Sequence, residues 1–252
     1  MALPVLNVPI YTLEIPSSKK KVKFRPFLVK EEKIILIAMQ EMDGKLQVIV
    51  DAIKQIIKNC TFNEIDTDTL TSYDLEHIFL ELKKKSSGSV VPLSFICQNE
   101  VPEAQASIHQ PDGIHLCGQT NDVQLNLDTV ELTTPPNRSN KIMLTETLGV
   151  VLKDPTLASA VQSQEIVKSG NSEKIFEMVY GFIDTIFDGP TLYEYTPEEL
   201  KDFIEMLTSE QFQKIKDFFD TTPTLKANLK IKCKKCGHEE TVTMEGLQSF
   251  LA

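Results

Sequence analysis

The chain has 252 residues, with 26 Lys and Arg against 36 Asp and Glu, so its formal net charge is −10. That length, with 41% hydrophobic residues, suits one large or two modest domains with a real core and excludes a disordered chain. The acidic balance argues against sequence-tolerant nucleic-acid binding, which needs clustered Lys and Arg, and no apolar run approaches the roughly 18 residues of a membrane span.

Residues 1–16 carry no early basic residue and are interrupted by Pro4 and Pro9, so no secretory signal is expected and the chain reads as soluble and intracellular. Residues 10–28 alternate with a period of two: Tyr11, Leu13 and Ile15, then a turn at Pro16-Ser17-Ser18-Lys19, then Val22 and Phe24. This predicts an N-terminal β-hairpin arm (1–28) whose lysines 19, 20, 21 and 23 form a solvated tip. A helical segment (29–86) follows. Ile34, Ile37, Ala38, Leu46, Ile49, Val50, Ile53, Ile56 and Ile57 recur at spacings of three and four, with a break suggested at Gly44. Glu31 and Glu32 suit a helix N-terminus. A further helix is expected to start at Thr71 or Ser72 and to end near Lys83-Lys84-Lys85, before Gly88.

Residues 87–133 read as extended, and Thr134-Pro135-Pro136-Asn137 as a linker. The region 134–223 reads as a strand-plus-helix insertion, with a strand-like pattern over 141–152. A helical stripe of Ile175, Phe176, Val179, Phe182, Ile183 and Ile186 is expected from Ser172 to Asp188. Thr196-Pro197-Glu198-Glu199 has the N-cap, the proline and the glutamate of a helix start. Ser209 is expected to cap another helix, ended by Thr222-Pro223.

Chemistry is concentrated in the cysteines. Five in an unsecreted chain do not make a disulfide framework. Two distant segments share one register: Leu93 to Cys97 with Cys117 to Leu125, and Leu229 to Cys233 with Cys236 to Met244. In both, apolar residues stand four and two positions before the first cysteine. In both, glycine follows the second cysteine and valine stands six positions after it. Each half reads as strand, cysteine turn, strand, which is how a zinc ribbon presents four thiolates. Cys97, Cys117, Cys233 and Cys236 are therefore the expected ligands of a structural Zn2+. The first half departs from the usual spacing, since 19 residues separate its cysteines, but a loop insertion at a hairpin tip costs little closure entropy.

Other readings stay open. His109 and His115, inside the insertion, could substitute for a cysteine, and His238 could be a spare ligand. Cys233 and Cys236 could be a redox pair, although the helix expected after such a motif is replaced by a strand pattern from Glu239 to Met244. Cys60 reads as a packed thiol. The zinc-ribbon-like β lobe is discontinuous (87–133 and 224–252), and the expected fold class is α+β: zinc-ribbon-like β-hairpins, the N-terminal hairpin and several amphipathic helices. No phosphate-binding glycine loop, nucleophile elbow or H-E-x-x-H helix is present, so an enzyme is not expected.

Five stretches in order span nearly the whole chain: Tyr11 to Pro16 followed by Val22 to Lys33; Leu82 to Ser87; Gly149 to Leu152 ahead of Pro155; Thr196 to Leu200 through Phe212 to Phe219 and Pro223; and Cys233 to Gly237 with Glu239-Glu240. In this order they resemble a known family, the baseplate hub subunit and hub-assembly proteins of T-even-type contractile-tailed phages. The resemblance implies a virion or assembly protein of the tail baseplate hub, located in the virion or in the host cytoplasm during assembly. Its implied partners are other baseplate or tail proteins, with a second copy of itself as a further option and no nucleic acid. The competing reading is a zinc-ribbon adaptor in transcription or another nucleic-acid process. The ribbon halves weigh against it: residues 87–136 contain no Lys or Arg at all.

Overall fold

A computed structural model of the chain describes residues 7–41, 46–169 and 172–250. The expected break at Gly44 lies outside them. The fold is mixed α+β, with seven α-helices and thirteen short strands among the described residues. It divides into two compact units, 1–79 with 134–223, and 80–133 with 224–252.

In the first unit, β1 (Tyr11–Glu14) and β2 (Lys21–Phe24) pair antiparallel with Leu13 opposite Val22. Leu13, Val22 and Phe24 are buried while Lys19, Lys20, Lys21 and Lys23 are exposed, as period-two alternation requires. Two helices follow, α1 (Val29–Glu41) and α2 (Leu46–Cys60). α2 buries Val50, Ile53, Ile56 and Ile57 along one stripe. Glu31 enters the first turn of α1 fully buried, where it accepts the Leu28 N–H at 2.9 Å and a forked bond from the Arg25 guanidinium at 2.9 and 3.2 Å. Helix α3 (Ser72–Ser87), of which Ser72–Phe79 belong to this unit, is capped reciprocally. The Asp74 N–H donates to Thr71 Oγ1 at 3.2 Å, and the Thr71 N–H donates to Asp74 Oδ2 at 3.3 Å. Asp74 also accepts from the Ser17 N–H and hydroxyl, which ties the arm's turn to the helix start.

The later half of this unit is a four-stranded antiparallel sheet in the order β11-β10-β9-β8, formed by β8 (Lys141–Met143), β9 (Leu148–Leu152), β10 (Ile183–Asp188) and β11 (Thr191–Tyr193). Helices α4 (Leu157–Ser169), α5 (Ser172–Phe182), α6 (Pro197–Glu205) and α7 (Ser209–Asp220) complete it. Val150, Leu152, Val179, Ile183, Ile186, Leu200, Ile204, Ile215 and Phe218 form its core.

Two expectations are corrected here. The helix expected to run to Asp188 stops at Phe182, and Ile183–Asp188 is a strand. The β-branched and aromatic run Ile183, Thr185, Ile186 and Phe187 pairs with β9 through a register shift between Ile183 and Thr185. The extra residue lets Ile183 and Ile186, three apart, both face the core, which mimics a helical stripe. The cap of α7 is Thr208, which forms a capping box with Gln211, and Ser209 is already inside the helix. The capping box at Thr196 and Glu199 is present as expected.

The second unit holds the cysteines. β3 (Val90–Ile96) pairs with β6 (Thr120–Asn126), while β12 (Thr224–Lys232) lies between β13 (Glu239–Glu245) and β7 (Glu131–Thr133). Leu80, Val91, Leu125, Leu127, Val130, Leu225, Ala227, Met244 and Phe250 form its buried core. The Lys83 ammonium donates to the Phe250 carbonyl at 2.6 Å.

Candidate metal centre

Each cysteine pair sits at the mouth of an antiparallel hairpin, and the two hairpins repeat one hydrogen-bond pattern. Leu93, four before the first cysteine, lies opposite Val123; Leu229, four before its cysteine, lies opposite Val242. The Cys97 N–H donates to the Gln119 carbonyl at 2.9 Å, and the Cys233 N–H to the His238 carbonyl at 2.8 Å. The Gly118 N–H returns to the Cys97 carbonyl at 3.0 Å, and the Gly237 N–H to the Cys233 carbonyl at 3.0 Å. Both turns need glycine: Gly118 has φ +64° and Gly237 φ +73°, in the left-handed region that a Cβ disfavours. At Gly118 space also forbids a side chain, since a Cβ there would lie 2.9 Å from Ile108 Cγ1.

The 19-residue insertion therefore leaves its turn unchanged. It satisfies its own backbone: the Val101 N–H reaches the His115 carbonyl, the Cys117 N–H the Asn99 carbonyl, and the Ser107 N–H the Leu116 carbonyl. A two-residue ladder, β4 (Ile108–His109) with β5 (His115–Leu116), closes its tip.

All four sulfurs lie within 4.8 Å of one another. Cys97 Sγ is 3.7 Å from Cys236 Sγ, and Cys117 Sγ is 3.7 Å from Cys233 Sγ. A disulfide requires about 2.05 Å, so these are separate thiols. Four sulfurs arranged tetrahedrally at about 2.3 Å from a central ion stand about 3.8 Å apart. The donor set thus fits a tetrahedral metal ion. Cys97, Cys117 and Cys233 are buried, and Val101 packs on the cluster.

Electrostatics favour the same use. Burial pushes the Cys97 thiol up to about 12, with the neighbouring Cys236 and Cys233 thiols adding to the rise and the Asn99 N–H opposing it. Burial also raises Cys117, against the Gln119 N–H. Cys233 is lowered to about 6, first by the Cys236 N–H and, against burial, by the Lys235 N–H and the surrounding thiols. The three buried cysteines thus receive backbone N–H groups from positions two or three further along the chain. Such dipoles support negative charge on sulfur. Neighbouring thiolates repel one another, and a bound cation removes that obstacle.

The histidines lie elsewhere. His109 and His115 face each other, Nδ1 to Nδ1 at 3.0 Å, and neither belongs to the group of close donors. His238 contributes its backbone carbonyl to the Cys233 N–H. Cys60 is buried 3.6 Å from Arg25 Nη1, and burial raises its thiol to about 11. The N–H groups on the sulfurs are signalled in the sequence by the glycine after each second cysteine, which marks a turn that points amides inward, whereas nothing in the sequence signals the contact of His109 with His115.

The family described as T4 bacteriophage base plate protein matches residues 8–252, and the chain belongs to it. It is thus a T4-type phage baseplate protein. No match is found among curated proteins or among solved structures. No helix among the described residues is long and apolar enough to cross a membrane.

Proposed function

We propose that the chain is a subunit or assembly factor of the baseplate hub and is not an enzyme. It works through contacts with other tail proteins, in the virion baseplate and in the host cytoplasm during assembly. Cys97, Cys117, Cys233 and Cys236 hold one structural zinc ion. The observation that carries the metal reading is the 3.7 Å spacing of paired sulfurs in two hairpins of identical register. Four thiolates leave no open position for a water, and closed sites of this kind are structural. We read 87–133 and 224–252 as one lobe stapled by that ion, with 1–28 as an arm, 29–86 as a helical segment and 134–223 as an insertion. Family membership supports tail proteins as partners, and the acidic surface supports the absence of nucleic acid.

Elemental analysis of the purified chain is expected to give one zinc per molecule. Cys97→Ser and Cys236→Ser should each abolish it, while Cys60→Ser should leave it intact. Retention of zinc in Cys97→Ser would show that the two halves do not share an ion. The hub reading is tested by co-purification from infected cells with the hub's other proteins; association only with peripheral baseplate proteins would overturn it.

A further inference from the structure

His109 and His115 are cross-strand partners at the tip of the insertion, directly opposite each other in the β4–β5 ladder. Their Nδ1 atoms are 3.0 Å apart, and their rings meet at 73° with centroids 5.0 Å apart. At that separation one nitrogen carries the proton and the other accepts it. The same separation is also the bite of a chelate. With metal–nitrogen bonds of about 2.1 Å, two donors 3.0 Å apart subtend about 90° at the ion, whereas a tetrahedral site needs about 3.4 Å. The right-angled bite suits octahedral or square coordination, the preference of Ni2+ and Cu2+ with imidazole donors.

We propose that His109 and His115 form a second, surface metal site that chelates one divalent transition ion through both Nδ1 atoms. This site is distinct from the four-cysteine centre and does not depend on it. The scaffold is set before any ion arrives. The turn between the histidines is closed by the Gln110 N–H on the Ile114 carbonyl, by the Gly113 N–H on the Gln110 carbonyl, and by Gly113 at φ +84°. The Ile114 N–H is taken by Asp112 Oδ1. The contact is exposed, so the remaining coordination positions are open to water. Chelation needs both Nδ1 lone pairs. The imidazole that holds the shared proton on Nδ1 moves it to Nε2, which frees both Nδ1 lone pairs for the ion.

The test uses the untagged full chain, with zinc content measured before and after addition of Ni2+ as the probe. The expected result is one Ni2+ per chain with zinc content unchanged, together with selective paramagnetic broadening of the His109 and His115 imidazole resonances. His109→Asn and His115→Asn should each weaken binding at least tenfold, and His238→Asn should not weaken it. Loss of zinc on addition of Ni2+ would show that the probe enters the cysteine site, and would overturn the proposal. Binding that survives both histidine variants, or no binding beyond zinc, would overturn it too. In the last case the pair is only a hydrogen bond between two rings.

Discussion

Glu31 carries its charge into a fully buried position, and its partners decide whether that costs stability. Burial pushes its carboxyl up, but the Arg25 fork, the Leu28 N–H and the charges of Arg25 and Lys30 outweigh burial, so it sits below the ordinary carboxylate range. A folded-state value below the unfolded one contributes stability that is complete above the unfolded value, near 4.5, and is lost as pH falls through the folded value. Glu31→Gln leaves Arg25 buried without its counter-charge and should cost about 3–5 kcal/mol at neutral pH. Its urea midpoint should then fall less steeply than that of the wild type on acidification below pH 4.5, measured by far-UV circular dichroism. Parallel acid limbs would show that the charge of Glu31 does not set the decline. Nothing in the sequence marks this pair: Glu31 reads as a helix-dipole residue, and its burial depends on Arg25, six residues away in the loop after β2.

Elements whose boundaries are set by local chemistry were legible in advance, and those set by partners were not. The Thr196 cap, the arm's alternation and the Cys233–Cys236 hairpin follow from residues within a few positions of each other, and the Cys97–Cys117 hairpin from a register that its 19-residue insertion leaves intact. The strand at Ile183–Asp188 did not, because its pattern becomes intelligible only with the register shift against β9. Helix α4 had no strong apolar stripe to announce it. The site was legible as four residues because the register around Cys97 and Cys117 matches that around Cys233 and Cys236. The histidine pair was not, since two residues six apart meet only once the tip has folded as a ladder. Because the turn at Gly118 is bonded like that at Gly237, residues 98–116 are an appendage to the cysteine cluster. Replacing them with Lys-Lys, the spacing of the other half, should preserve one bound metal per chain and the tetrahedral thiolate absorption of the Co2+-substituted protein. Loss of metal would show that the insertion, through Val101 or through Ser107, which accepts from Lys235 Nζ, holds the site together.

At the scale of the molecule, each compact unit is assembled from two pieces of chain, and only the second contains the cysteine centre. If metal binding is folding free energy for that unit, its removal should act unequally. A strong chelator under reducing conditions is expected to abolish hydrogen-exchange protection in β3, β6, β12 and β13 and to leave that of β9 and β10 in place. Uniform loss across both units would show that they unfold as one. Uniform retention would show that the 80–133 and 224–252 core stands without the ion.

The order of the pieces along the chain also sets a timetable. Cys117 and Cys233 are 116 residues apart, and between them lies 134–223, the second piece of the first unit. At roughly 5–20 residues per second, the ribosome takes about 6–23 s to cover that distance. Throughout this interval the first pair of thiols has been made and the second has not. All of the first unit's chain has therefore been synthesised before β12 exists, and the cysteine centre is among the last features the nascent protein can close.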